Sequence, residues 1–355
     1  MIFTSAFIIL FSSLFSWIIG FSVFRFLASV GVVDQPNDRS SHTQPTVRGG
    51  GISIVVPVLV GVACLISRFQ GEPLVAIGLS VMLLAIVSFI DDLKSLGAAT
   101  RFGCHFLAAV VAWYALGISD MSLTLSETAK FILPQIVGTV FGILWITGYT
   151  NAFNFMDGIN GIAVGQAAVT SLGAALLVSS QLDHAHSLPL LVSVCLAGAT
   201  LGFLPHNFPQ ARMFMGDVGS APIGFLLAVL TLWMAKVAGW WMLIPLTLLH
   251  ANFVLDTAIT LVRRVLRGDR WYDAHREHFY QRLIRSGRSH TFVTLLEMGL
   301  QLLVLGLMLC YLSATPLVRM ILILTTIGIW LSFFIYCESC FRRCQRSSAI
   351  LRTSI

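Results

Sequence analysis

The sequence predicts an all-α, polytopic membrane protein with about eleven transmembrane helices. Three observations carry this: an apolar composition, repeated long hydrophobic runs, and basic residues gathered in alternate loops. Hydrophobic residues make up 57% of the 355 and charged ones only 11%, too few to solvate a soluble domain of this size. No nucleic-acid signal stands beyond those basic loops, so membrane lipids are the expected surroundings and no nucleic acid is expected as a partner.

A hydrocarbon layer takes about 20 apolar residues per helix. On that ruler the spans fall at about 3–27, 49–69, 74–92, 101–118, 130–150, 159–180, 188–205, 219–237, 240–262, 291–313 and 316–336. The first run lacks the basic start and small-residue cleavage pattern of a signal peptide, and reads as a first spanning helix. The connections are too short to fold alone, so residues 1–355 are expected to form a single integral-membrane domain.

Loops 28–48, 93–100, 206–218 and 263–290, with the C-terminal tail and adjoining helix ends, collect 18 of the 22 Lys and Arg. Arg68, Lys130, Lys236 and Arg319 are left for the other side. The positive-inside rule then predicts a periplasmic N-terminus, a cytoplasmic C-terminus and a cytoplasmic face built from those four loops. Asp34, Asp38, Asp91, Asp92, Asp157, Asp217, Asp269, Asp273 and Glu277 all fall on that same side, although acids played no part in the orientation. One acid at a helix end is ordinarily a solvated end; five separate segments of them, amid Gly, Asn and His, point to a site. The seven cysteines are odd in number and mostly lie in apolar runs, which argues against a disulfide framework. Cys337, Cys340 and Cys344 lack a fourth ligand at metal spacing.

Asp91 and Asp92 close the third span, and adjacent carboxylates at a membrane surface call for a cation or donors to share them. The segment Asn151–Gly161 interrupts an apolar stretch with Asn151, Asn154, Asp157 and Asn160 among glycines. Asn can read a nucleobase or sugar amide, and Asp157 offers a hard oxygen for a cation or hydroxyl; the plainer reading is a polar turn. Phe214–Ser220, after the loop that holds His206 and Asn207, sets Asp217 between Gly216 and Gly219 at a helix start, a place suited to phosphate and its metal. The plainer reading there is an N-cap. The loop 263–290 is rich in Arg, which alone signals orientation or lipid contact. Its cluster of His275, Arg276, His278 and Tyr280 suits the charge of a diphosphate. Asp256, inside the ninth span, is expected to face the bundle with a partner.

The ordered set resembles the polyprenyl-phosphate N-acetylhexosamine-1-phosphate transferases, the family of the phospho-N-acetylmuramoyl-pentapeptide transferase. The pieces are Asp34–Arg39 with His42 and Arg48–Gly51, then Asp91-Asp92, then Asn154–Gly161, then Phe214–Ser220. The resemblance implies a bacterial inner-membrane enzyme, a UDP-linked N-acetyl sugar as donor, undecaprenyl phosphate as acceptor, UMP as product, and Mg²⁺ as cofactor with Mn²⁺ as an alternative. It also leaves room for a homodimer. Carried over, Asp91, Asp92 and Asp217 are the catalytic acids, with Asp217, Asp91 and Asp157 as metal ligands. Arg39, His42, Arg101, Asn154, Asp157, Asn160, Asn207, His275, Arg276 and His278 are the substrate-binding set, with His105 as a neighbour of Arg101. The last loop departs from the family's closely spaced histidines: with His278 in the first place, Tyr280 and Gln281 stand in the others. That form resembles a branch that starts O-antigen chains on a UDP-N-acetylglucosamine or UDP-N-acetylfucosamine type donor.

The reaction implied is in-line attack of the lipid phosphate on the β-phosphorus of the UDP-sugar, in which the protein aligns two anions and neutralises charge. A covalent route through Asp92 or Asp217 is the poorer alternative. A membrane transporter is the rival from another class, but carriers show internal repeats and midplane sites, whereas here no repeat is seen and the acids lie at one surface. A purely structural subunit leaves the Asp and Asn segments unexplained.

Overall fold

The computed structural model describes residues 2–36, 44–69, 72–124, 130–182, 187–270 and 275–353. Among them are thirteen α-helices and five short strands. In chain order they are α1 (Ile2–Ser29), β1 (Val33–Asp34), β2 (Thr46–Arg48), α2 (Ile52–Phe69), α3 (Glu72–Lys94), α4 (Ala98–Leu116), β3 (Met121–Thr124), β4 (Lys130–Leu133), α5 (Gln135–Met156) and α6 (Ile162–Val178). There follow α7 (Leu188–Asn207), β5 (Met213–Phe214), α8 (Asp217–Ala238), α9 (Leu243–Leu248), α10 (Ala251–Leu266), α11 (Phe279–Arg285), α12 (His290–Tyr311) and α13 (Pro316–Thr353).

Each predicted span overlaps helix, although Lys130–Leu133, expected to open the fifth, is strand β4, and nine described helices are long and apolar enough to cross a membrane. The chain is therefore an all-α, multi-pass membrane protein. Two spans are irregular. The sixth, α6, is only 17 residues long. The ninth is broken: the helices on either side of Leu249 and His250 meet at 71°. A break frees backbone groups that hydrocarbon cannot satisfy. Side chains do so instead, since the Leu249 carbonyl accepts from Gln166 Nε2 at 2.9 Å and from Gln301 Nε2 at 2.5 Å.

The centre of the bundle is α8, buried along its length and packed by α3 and α5. Its neighbour α7 receives α1 and α6. Small residues set that spacing: a Cβ on Gly198 would lie 2.4 Å from the Ile9 carbonyl oxygen, and one on Gly202 would lie 2.0 Å from that of Ser13. In lipid there is no hydrophobic drive between helices, so such close backbone packing holds them together.

Strands were not expected. A hairpin, β3 with β4, closes one end of the bundle. At the other end β1, β2 and β5 form a sheet in that order, with β2 antiparallel to β1 and parallel to β5. The register pairs Val47 with Met213 and Arg48 with Phe214, which draws two segments 166 residues apart to one point. The sheet continues into the glycines, where Gly50 N–H donates to Phe214 O and Gly51 N–H to Met215 O, both at 2.8 Å. Gly51 and Gly219 then touch: a Cβ on Gly51 would lie 2.3 Å from the Gly219 Cα. Only glycine at both positions permits the approach.

Candidate active site

The site is built around the N-terminus of α8, whose first amides have no partner within the helix. Asp92, at the end of α3, supplies it. The amides of Asp217 and Val218 donate to Asp92 Oδ1 and Oδ2, each at 3.0 Å. Gly216, with φ at +72°, turns the chain into this cap, and a Cβ there would meet Asp92 Oδ2 at 2.7 Å. The Asp92 side chain is wholly buried and its charge is met by Arg48 Nε at 2.7 Å.

Asp217 keeps its carboxylate for the cavity. Arg48 Nη2 donates to its Oδ1 at 3.0 Å, and Arg101 Nη1 lies 3.6 Å from its Oδ2. Burial works against the Arg48 charge, but Asp217 and then Asp92 hold this guanidinium far above its ordinary pKa. Arg101 also donates to Asp91 Oδ2 at 3.0 Å, while Asp91 Oδ1 accepts from the Leu96 amide at the turn into α4. Two arginines, Arg48 at the end of β2 and Arg101 on α4, thus bridge three acids, Asp91 and Asp92 of α3 and Asp217 of α8.

The cavity beside these groups has a volume of about 420 Å³ and lies between α4 and α5. Its polar wall is Arg101, His105, Asn151, Asn154 and Asp217; its apolar wall includes Phe102 and Phe155, both exposed on the outer surface of the bundle. Asn154 Nδ2 donates to Ser220 Oγ at 3.0 Å, in the first turn of α8. Asp157 lies just past α5, and burial followed by the Asp217 charge pushes its carboxyl up to about 7. Among the described residues no three His, Cys, Asp or Glu side chains converge as a metal cage. Mg²⁺ does not require one, since it is ordinarily held by one or two carboxylates together with substrate phosphates and water. The hard oxygens of Asp217 and Asp91, brought together on Arg101, fit such an ion.

The last loop reaches the site through α11. Asp256 Oδ2 accepts from the Phe279 amide and its Oδ1 from His278 Nδ1, both at 2.9 Å, so the buried acid of α10 has the partner expected of it. The His275 ring packs 4.9 Å from that of His278. Burial, then the neighbouring His278, drop the His275 imidazole to about 4. Tyr280 and Gln281 have tying roles. Tyr280 is fully buried, donates to Phe155 O at 3.2 Å and packs onto Gly158; Gln281 Oε1 accepts from the His278 amide at 3.2 Å. Burial, then Asp256, carries the Tyr280 phenol well above its ordinary pKa, so it acts as a neutral donor. Many of the arginines in this loop are also occupied: Glu277 pairs with Arg264 and Arg267, and Glu338 on α13 with Arg263 and Arg282. Arg267 holds Glu277 below the usual carboxylate range, although burial opposes it.

Of the residues singled out in the sequence, Asp91, Asp92, Arg101, Asn154 and Asp217 come together, with Asp157 beside them. Asn207 and Asn160 are turned to the scaffold. Asn207 accepts from the Gly161 amide at 2.7 Å and donates to Met213 O at 3.1 Å; Asn160 donates to Pro209 O at 3.1 Å. Arg276 follows His275, and its carbonyl accepts from Arg285. Arg39, His42, Asp38 and Asp273 lie outside the described residues. The sequence reading passed over Arg48 as a site residue. Its signal was its place immediately before Gly49-Gly50-Gly51, which the sheet carries against α8.

Comparison with known proteins decides the family. The pattern of Glycosyl transferase family 4 matches residues 74–235. A decaprenyl-phosphate N-acetylglucosaminephosphotransferase of Mycobacterium tuberculosis (strain ATCC 25618 / H37Rv) is 31% identical over 301 residues, covering 77% of this chain and 74% of that protein. The chain belongs to the polyprenyl-phosphate N-acetylhexosamine-1-phosphate transferases of glycosyl transferase family 4. A probable undecaprenyl-phosphate N-acetylglucosaminyl 1-phosphate transferase of Bacillus subtilis (strain 168) is 29% identical over 88% of this chain and 82% of its own length. A phospho-N-acetylmuramoyl-pentapeptide-transferase of Gloeothece citriformis (strain PCC 7424) is 33% identical over 52% of each chain. Membership of this transferase family removes the reason to read the bundle as a transporter. Within the transferase, the matched region runs from α3 into α8 and so contains Asp91, Asp92, Arg101, Asn154, Asp157 and Asp217.

Proposed function

We propose that this transferase moves an N-acetylhexosamine-1-phosphate from a UDP-sugar to undecaprenyl phosphate, releases UMP, and so starts a lipid-linked glycan such as O-antigen. The observation that carries this is the cavity between α4 and α5, with acids and arginines at one end and Phe102 and Phe155 at the bundle surface. A lipid phosphate needs such a place: its chain stays in hydrocarbon while its head meets cations. The names of the relatives, which speak of decaprenyl and undecaprenyl phosphate and of N-acetylglucosamine, support the acceptor and the N-acetyl sugar class. The last-loop pattern of His275, His278 and Tyr280 supports the O-antigen branch.

The site's residues act by alignment and charge. Arg101 and Arg48 draw the two phosphates together, which offsets their mutual repulsion and makes the encounter effectively unimolecular. Asp92 caps α8 and holds the Asp217 backbone in register with Arg48. Asn154 and the Asn151–Gly161 turn suit the uracil or the sugar amide, and His278, oriented by Asp256, suits the diphosphate. Asp217 and Asp91, with Asp157 nearby, would hold Mg²⁺, with Mn²⁺ as a substitute. The ion would neutralise charge on the diphosphate and on departing UMP. The basic loops support a cytoplasmic active face, with the N-terminus in the periplasm.

The test is UMP release by the purified protein in detergent with undecaprenyl phosphate, Mg²⁺ and a panel of UDP-N-acetyl sugars. Lipid- and Mg²⁺-dependent release that Asp217→Asn removes is the expected result. Folded wild-type protein that turns over no donor refutes the reading.

A further inference from the structure

His105 stands on α4 one turn below Arg101, with 6% of its surface exposed, on the wall of the cavity that holds Asp217. Its orientation is set by Asn151 across the gap to α5. Asn151 Nδ2 donates to the Thr147 carbonyl at 2.7 Å, which turns Oδ1 toward His105 Nδ1 at 3.2 Å. An amide oxygen only accepts, so Nδ1 carries the hydrogen and the lone pair of the neutral ring sits on Nε2.

The acids nearby are engaged as acceptors. Asp91 takes the Leu96 amide and Arg101; Asp92 takes two amides and Arg48; Asp217 takes Arg48. Free in water, a phosphate monoester loses its second proton near pH 6 and an imidazole gains one near 6.5, so the two groups are of comparable basicity. Beside several carboxylates, a phosphate arriving as the monoanion needs a neutral base to become the better nucleophile.

We propose that His105 is a catalytic residue that takes this last proton from the acceptor phosphate through Nε2, with Asn151 as its positioning residue. The P–O–H bond breaks at oxygen and an N–H bond forms on the ring. The freed oxygen then bonds to the β-phosphorus of the donor as the bond to UMP breaks. The imidazolium afterwards returns its proton to water. The charges facing the ring are Asp217 from α8 and Arg101 on α4, with Asp91 of α3 behind Arg101; α5 presents the uncharged Asn151. This assignment rests on the transferase reading above.

The test compares wild type with His105→Gln by initial rates of UMP release at varied undecaprenyl phosphate, saturating donor and Mg²⁺, from about pH 5.5 to 9. Gln keeps a hydrogen bond to Asn151 within reach but accepts no proton. The expected result is kcat/KM for the lipid lower by about 10²-fold at pH 6. The variant should recover toward wild type once the phosphate ionises unaided, with the donor KM unchanged. His105→Gly should regain rate when imidazole is added, in step with its neutral fraction. A His105→Gln profile parallel to wild type, or equal to it, overturns the proposal. Loss at every pH together with an imidazole-insensitive His105→Gly also overturns it. Wild type that releases no UMP with any donor refutes the transferase reading, and this assignment with it.

Discussion

The Asp217 amide donates to Asp92 Oδ1 at 3.0 Å, so two acids that sequence reasoning grouped as equals are joined backbone to side chain. Asp92 spends both oxygens on the start of α8 and on Arg48, whereas Asp217 presents its carboxylate to the cavity.

The two should separate by mutation. Asp92→Asn loses the charge that caps α8 and sets an amide NH2 against the Val218 N–H that now donates to Oδ2. It should lower stability by about 1–3 kcal/mol, seen as a reduced Tm in detergent, together with activity. Asp217→Asn should abolish UMP release with a smaller change in Tm. Equal Tm losses would mean that both acids are structural.

Asp157 gives a pH signature. Its carboxyl is raised from 3.8 to about 7 by burial and then by Asp217, so the folded protein holds a proton there that the unfolded chain has released. Stability from this group therefore falls as pH rises from about 4 to about 7 and stays low above that. Without Mg²⁺, the Tm of wild type should decline across that window more steeply than that of Asp157→Asn. Added Mg²⁺ at pH 8 should raise the wild-type Tm more than the variant's. Identical slopes would remove Asp157 from the metal set.

Gly158 and Tyr280 form a testable pair. A Cβ at 158 would sit 2.0 Å from the Tyr280 hydroxyl and 3.0 Å from its Cζ. Gly158→Ala should displace the ring and cut activity about tenfold or more, an overpacking cost of about 1–3 kcal/mol. Tyr280→Phe alone should cost about 1 kcal/mol for its bond to Phe155. Combined, the two should be milder than their sum, and additive losses would show that the contact is absent.

Gln301→Leu removes a donor from the Leu249 carbonyl at the broken span. A loss of about 1 kcal/mol is expected, because interhelical hydrogen bonds in membranes are modest on average. Combined with Gln166→Leu, the loss should exceed the sum, since the carbonyl then keeps only the Thr170 hydroxyl, at 3.2 Å. Thermal denaturation in detergent measures both.

The spans were legible because hydrocarbon demands length and apolarity, which a single chain displays residue by residue. The break at Leu249 was not, since no proline or glycine marks it and its support comes from Gln166 and Gln301 on α6 and α12. The strands were hidden for the same reason: β2 and β5 are two or three residues long and gain meaning only by pairing across 166 positions. The acids were legible as types in place, each a costly group at a helix end. Their division of labour was not.

What the sequence determined by itself was the solvent of this protein, the side on which its acids gather, and the residue types available for phosphate chemistry. Tertiary structure decided which carboxylate caps a helix and which faces the cavity, that Arg48 belongs to the site, that Asn160, Asn207 and Tyr280 tie loops, and that His105 turns Nε2 away from Asn151. Those assignments depend on the direction of individual lone pairs and N–H bonds, and partners for them come from segments far apart in the chain.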